Sequence, residues 1–403
     1  MSIPSLPNEI LLIIFDYATH VVPVHEGSVL RWERISYIDT LDLVRASNSV
    51  KKAIMLTCKR WHDVVHPSLH EWIVLKQKRS LISFIAHIRQ LSTIPPSFPS
   101  PLALTRRLDL NLDHLPDNYD TLLAFIIRSL PHLVELNFAM SALSYIDYPL
   151  NVPVCQALKA RPSLRVLNWY TEILLPMPRA WHDILVALSR LEVTTCVHSL
   201  RTWPYNDNPP MPVLPHLHTI LISSHCNGCL STAPCVLPAL RTLAYYDRSL
   251  SFSRSRFRAD QTWRNSSYFE EHGAHIQDLY LDSDEDEHFM DHVVAHCTRA
   301  ETLHITVRIP GPILARPFPE SIKRLRICNR FAEDGKGSVA KPLNQILMVL
   351  LERPGQHGLR TIELAHVRMD AQSKLLPCEV YNTRSSSTMR DVELVDAAGR
   401  VIL

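Results

Sequence analysis

A six-residue pattern, apolar-x-x-apolar-x-apolar, recurs along most of the chain, and recurrence of this kind constrains architecture before any single residue does. It reads Leu133-Leu136-Phe138, Leu164-Leu167-Trp169, Leu188-Leu191-Val193, Leu217-Ile220-Ile222, Leu240-Leu243-Tyr245 and Ile276-Leu279-Leu281. It continues as Ala300-Leu303-Ile305, Ile322-Leu325-Ile327, Leu359-Ile362-Leu364 and Met389-Val392-Leu394, with a first copy beginning at Thr105 around Leu108 and Leu110. First positions are 22 to 37 residues apart and average about 28. The last apolar pair of each copy straddles one residue, the alternation of a short strand with one buried face.

Between copies, Asp120–Ser129, Arg179–Leu188, His288–Cys297 and Leu343–Leu351 carry apolar residues at helical spacing. A strand–helix unit of this size cannot bury its own apolar side, so stacked neighbours must cover it. The period fits leucine-rich repeats, which recur every 20–29 residues. The expected fold is α/β over 105–403, a solenoid of about 11 degenerate copies with parallel strands on the concave side and helices on the convex side. Degeneracy shows at the ninth position, where an Asn or Cys is usual and only Cys196 fits.

Composition agrees. Nine glycines in 403 residues is near 2%, against an average of about 7%. Neither a dinucleotide fingerprint nor a phosphate-binding loop can be read. The 29 prolines forbid long uninterrupted helices, and Pro131, Pro162, Pro215 and Pro238 each stand two residues before a copy's first position. With 42 basic against 40 acidic residues and no long apolar span, nucleic-acid and membrane binding are not expected. The short run Ile10–Phe15 lacks a basic flank and a cleavage site, so no secretory signal is read. Nine scattered cysteines fit a cytoplasmic or nuclear setting.

Residues 94–104 form a proline-rich linker ahead of the repeats, and 1–93 read as a helical module with an insertion at about 19–50. One helix starts at Leu6-Pro7-Asn8-Glu9; a second spans Ala53–Val65. A third stretch, Asp247–Arg264, reads as a loop followed by a short helix over Ser266–His272 that Gly273 ends at a C-cap position.

The module resembles an F-box. The matching residues are Leu6, Pro7, Glu9, Ile10, Leu11, Ile14 and Phe15, then Cys58, Lys59, Arg60 and Trp61, then Pro67, Ser68, Leu69 and Trp72. The insertion between the two halves resembles those of fungal F-box-like proteins with degenerate leucine-rich repeats. The resemblance implies a non-catalytic substrate receptor: the F-box binds a Skp-type adaptor of a cullin ubiquitin ligase, and the repeats hold a target protein. Adaptor contacts are then expected at Leu6, Pro7, Glu9, Ile10, Ile14, Phe15, Leu56, Cys58 and Trp61. The competing reading is an interaction scaffold in which the F-box-like segment only caps the first repeat.

A target would meet the odd positions of the copies, which face away from the core. That column holds Asp109, Glu135, Asn137, Asn168, Tyr170, Glu192, Tyr246, Asp278, Tyr280, Asp282, His304, Arg324, Arg326 and Glu363. Best placed for target contact are Asn168, Tyr170, Tyr246, Asp278, Tyr280, His304, Arg324 and Arg326, because Tyr and Arg are enriched among interface hot spots.

Other signals carry less. His62 and His66 imitate a zinc-protease helix with Asp63 in place of Glu, and His288, His292 and His296 share a helix face with Cys297. Cys226, Cys229 and Cys235 lack a second ligand pair, and the arginines of 248–264 read as a solvated insertion. No metal, cofactor or catalytic residue is expected.

Overall fold

The computed structural model describes residues 6–19, 34–92, 101–112, 118–140, 148–149, 152–170, 174–175, 178–196, 212–223, 237–246, 267–282, 295–307, 320–329, 359–364 and 393–395. Among these, residues up to Leu217 belong to one compact unit and residues from His218 onward to another.

The first unit opens with helices α1 (Asn8–Thr19), α2 (Arg34–Met55) and α3 (Lys59–Val65), then strand β1 (Trp72–Leu75) and α4 (Lys78–Ser92). Strand and helix then alternate: β2 (Arg107–Leu112), α5 (Tyr119–Ser129), β3 (Glu135–Met140), α6 (Val152–Lys159), β5 (Val166–Tyr170), α7 (Pro178–Ala187) and β7 (Val193–Cys196). Strands β1, β2, β3, β5 and β7 pair in that order, all parallel. Two short strands, β4 (Tyr148–Pro149) and β6 (Leu174–Leu175), form a separate parallel pair. Helices α5, α6 and α7 pack on one another in sequence, and their buried Ile126, Ile127, Leu158 and Ile184 belong to the same core as Leu108, Leu136 and Leu167.

The second unit is a parallel sheet: β8 (Thr219–Ser223), β9 (Thr242–Tyr246), β10 (Asp278–Asp282), β11 (Thr302–Val307), β12 (Arg324–Asn329), β13 (Thr361–Leu364) and β14 (Glu393–Val395). Helix α8 (Ser267–His272) precedes β10.

One backbone device repeats throughout. The N–H of a copy's first residue donates to the carbonyl three residues back, as in Leu133 to Leu130, Leu164 to Arg161, Leu217 to Leu214 and Leu240 to Leu237. Proline at the second place of this turn, as at Pro131, Pro162, Pro215 and Pro238, presets its φ where no donor is needed. The next two N–H groups both donate to the second residue's carbonyl in the preceding copy. Val134 and Glu135 donate to Arg106, Gln277 and Asp278 to Arg241, Glu301 and Thr302 to Gln277, all at 2.7–3.1 Å. One carbonyl uses both lone pairs, so each rung leaves no buried donor orphaned and sets its neighbour's register.

This device corrects the sequence register at two copies. Leu191 donates to Leu188, and Val166 pairs with Val193. The copy thus starts at Leu191, with Thr194 rather than Leu191 at its buried fourth place. Glu393 donates to Arg360 and pairs with Thr361, so the last copy starts at Asp391 instead of Met389. Apolar counting slipped where extra apolar residues, Leu188 and Val392, offered a second frame.

The device also begins earlier than the repeats were read. His70 donates to Pro67, and Arg106 and Arg107 both donate to Glu71. The stretch His70–Leu75 is therefore a rung in its own right, with Trp72 paired to Arg107.

Two helix expectations shift. The expected helix Ala53–Val65 is two helices: α2 ends at Met55 and α3 restarts at Lys59 with Cys58 extended (φ −161°). The Thr57 hydroxyl donates back to the Ala53 carbonyl, and its N–H bonds to Ile54 in a tightened last turn. Gly273 does not simply stop α8, because a 3-10 turn continues over Gly273–His275. Its glycine is needed for close approach, since a Cβ there would meet the His296 carbonyl oxygen at 2.6 Å. Most of His288–Cys297, all of Leu343–Leu351, and the 247–264 run lie outside the described residues. So does the linker's 94–100, while Pro101–Leu104 is a 3-10 turn.

The odd-position face of the first unit is the largest correction. Asp109, Glu135, Asn137 and Asn168 are buried to within 3% exposure, joined by Arg107 at 5%. They form a continuous hydrogen-bonded rung. Arg107 Nε lies 3.0 Å from the Asp109 carboxylate and its terminal nitrogen 2.9 Å from Glu135. Asn137 Nδ2 donates to Asp109 (2.6 Å) and Glu135 (2.9 Å), which orients its amide so that its Oδ1 accepts from Asn168 Nδ2 (2.5 Å). The Trp72 indole N–H also donates to Asp109, while the Arg107 guanidinium stacks 3.8 Å over the Trp72 ring. Burial pushes the Asp109 carboxyl up and Arg107 opposes it. At 2% exposure Asn168 is part of the protein's own interior rather than a target contact.

Asp109→Ala is expected to destabilise the protein by about 3–5 kcal/mol, because it removes one of the two carboxylates that hold the buried Arg107 and leaves the Trp72 indole N–H and one Asn137 donor bond unmade. Chemical denaturation checks this, with Asp183→Ala at an exposed pair as the near-neutral control.

Candidate functional site

The candidate docking surface is built on α1, whose sequence NEILLIIFDYAT carries two apolar stripes where an ordinary surface helix has one. The inner stripe, Leu11, Phe15 and Thr19, is buried at i, i+4, i+8 spacing. It packs with Val64 and Val65 of α3, and Leu6, Ile54, Met55 and Trp61 close the cluster. Phe15 meets Trp61 edge to face at 4.9 Å. Polar ties fix the helices around this core. Arg60 Nε donates to Asn8 Oδ1 at 2.8 Å and a second Arg60 nitrogen to the Leu6 carbonyl. The Ser47 hydroxyl donates to the Thr19 carbonyl at 2.5 Å, holding α2 to the end of α1.

The outer stripe is Ile10, Ile13, Ile14 and Tyr17, at i, i+3, i+4, i+7. All four are exposed, Ile13 at 65% and Tyr17 at 89%. Leu56, in the break between α2 and α3, is exposed at 88%, and Cys58 beside it is also exposed. A cleft of about 720 Å³ lies on another flank of α1, lined by Asn8, Leu12, Lys59, Arg60, Asp63 and Pro67 among others. Contiguous exposed apolar area with a polar rim marks a surface made to be covered.

The residues named from the resemblance divide in two. Pro7, Glu9, Ile10, Ile14, Leu56 and Cys58 are exposed, whereas Phe15 is buried and Leu6 and Trp61 are half-buried against the core. Those three hold the module's own fold. The motif did not mark Ile13 and Tyr17, although the i, i+3, i+4, i+7 spacing was there to be read.

A histidine series runs from α3 into the following turn. The rings of His62 and His66 stack at 5.3 Å, and His66 meets His70 edge to face at 4.9 Å. The imitation of a zinc-protease helix therefore brings the rings onto each other. Among the described residues no group of three His, Cys, Asp or Glu could hold a metal ion. Cys226, Cys229 and Cys235 lie outside them. Cys297 is buried, its thiol pushed up by burial to about 12.

On the second unit, the odd-position face keeps partial exposure. Tyr280 and His304 stack at 3.8 Å with an interplanar angle of 18°. Arg326 lies 3.2 Å from Glu363, Asp278 is half-buried and Arg324 is exposed. Burial first, then Arg326 and Arg324, hold His304 well below the usual imidazole range, so it is neutral. The side chains of Tyr170 and Tyr246 lie outside the described residues.

His70 is held low by burial and then by His66 and His87. A group whose folded pKa is depressed takes up protons on unfolding, so stability is lost as pH falls below the unperturbed 6.5. Thermal midpoints are expected to drop between about pH 7.5 and about pH 5, and His70→Gln should flatten that slope.

A family model described as F-box-like matches residues 3–76 of the chain. No curated protein matches it. Among the described residues no helix is long and apolar enough to cross a membrane.

Proposed function

We propose that the chain is the substrate-recognition subunit of a cullin-type ubiquitin ligase, acting in the cytoplasm or nucleus and carrying no catalytic group. The observation that carries this reading is the outer stripe of α1, apolar and exposed as Leu56 also is, and lying within the stretch that matches an F-box-like model. The stripe would bind a Skp-type adaptor, as a helix face buried in a partner's groove. The leucine-rich-repeat solenoid would hold the target protein. Ubiquitin transfer is then promoted by proximity, since a bound target is presented at high effective concentration.

The reading of the module as a cap also has an observation in its favour. Glu71 and Trp72, at the end of the F-box-like match, form the rung that covers β2. Terminal repeats need such cover. The two roles use different residues: Trp72, Phe15 and Trp61 face inward, while Ile10, Ile13, Ile14 and Leu56 face outward. Capping and docking are compatible in one module.

Co-purification with a Skp-type adaptor tests the proposal. Wild-type protein is expected to bind. Ile14→Asp with Leu56→Asp should weaken binding at least about tenfold and leave the melting midpoint nearly unchanged, because both side chains are exposed. A wild-type chain that fails to bind any such adaptor would leave the scaffold reading in its place.

A further inference from the structure

In-register parallel pairing lines up the third residues of five copies across the second unit's sheet. In order they are Asp278, Thr302, Arg324, Thr361 and Glu393. The residues next to them, Leu279, Leu303, Leu325 and Ile362, are buried, so the row faces away from the core. Its charges are symmetric: an acid, a hydroxyl, an arginine, a hydroxyl, an acid. Nearby charges are already engaged, Arg326 with Glu363 and Lys323 with Glu301. Among the described residues, Asp278, Arg324 and Glu393 have no ion-pair partner, and Arg324 and Glu393 are exposed.

We propose that this row binds an extended segment of the target protein bearing one acidic side chain on Arg324, with basic residues about three positions to either side on Asp278 and Glu393. The inference rests on the receptor reading above and names the chemistry of its target. Guanidinium and carboxylate pair with directional hydrogen bonds, and Thr302 and Thr361 put a hydroxyl donor on each side. Neighbouring strands are about 4.8 Å apart, which places each flanking acid about 10 Å from Arg324, or about one three-residue turn of a polyproline-II chain, the extended form in which residues i and i+3 share a face. Those acids repel a run of carboxylates, so the row selects an isolated acid over an acidic tract. The neutral Tyr280–His304 stack beside the row supplies a flat apolar floor without adding charge.

The test is selection of displayed random peptides, about 12 residues long, on the full-length protein, with affinities of the winners measured by fluorescence anisotropy. The expected consensus is a single Asp or Glu with Lys or Arg about three positions away on one or both sides. Changing that acid to its amide should weaken binding about tenfold, and Arg324→Glu should lose the acidic preference and gain a basic one. Binders that carry no acid, or whose affinity Arg324→Glu leaves unchanged, overturn this inference and leave the receptor reading standing. Recovery of no binder above background overturns the inference as well. Adaptor co-purification, scored separately, decides the receptor reading by itself.

Discussion

Successive strands of the sheet in either unit are joined by one recurring interaction, a backbone carbonyl that accepts two N–H groups from the next copy. It lies at a fixed place in the repeat, one residue after a four-residue turn, and the two donors it satisfies are those that enter the strand. Because it consists of main chain, it tolerates the degeneracy of the side chains around it. Ala300 replaces a leucine at the first position, Thr194 stands at the fourth, and the pairing still holds. Proline presets this turn in four copies, at Pro131, Pro162, Pro215 and Pro238, so none of these turns calls on the chain's nine glycines.

The same device joins the F-box-like stretch to the repeats. Glu71 presents its carbonyl to Arg106 and Arg107 as any copy would, so no free linker separates β1 from β2 in space even though proline-rich sequence does in the chain. Trp72 adds a side-chain layer through Asp109 and Arg107. An apolar stripe on α1 therefore stands on a base that is continuous with the sheet.

The fold was largely legible as a period. Nine of the eleven copies keep the register that apolar spacing assigns, because burying positions one, four and six leaves little choice. The slips at Leu191 and Asp391 arose where apolar residues allowed two frames and only the hydrogen bonds chose. The docking surface was half legible. The motif pointed to α1 and the turn after α2, and of the residues it named, Phe15 and Trp61 pack on each other while Ile10, Ile14 and Leu56 are exposed. A motif records which residue types recur and is silent on whether their reason is a fold or a contact.

The amino-acid sequence by itself determined the alternation of strands and short helices, the buried positions and the presence of a helical module ahead of them, since these follow from local periodicity and burial. Only the tertiary structure decided which polar residues are surface. Asp109, Glu135, Asn137 and Asn168 occupy the same repeat positions as Asp278, Tyr280, His304 and Arg324. The first set is buried in a hydrogen-bonded rung with Arg107, and the second keeps partial or full exposure. A polar side chain can enter an interior when its partners stand within about 3 Å on neighbouring strands. Those partners come from copies about 28 residues apart, a proximity that local sequence does not encode.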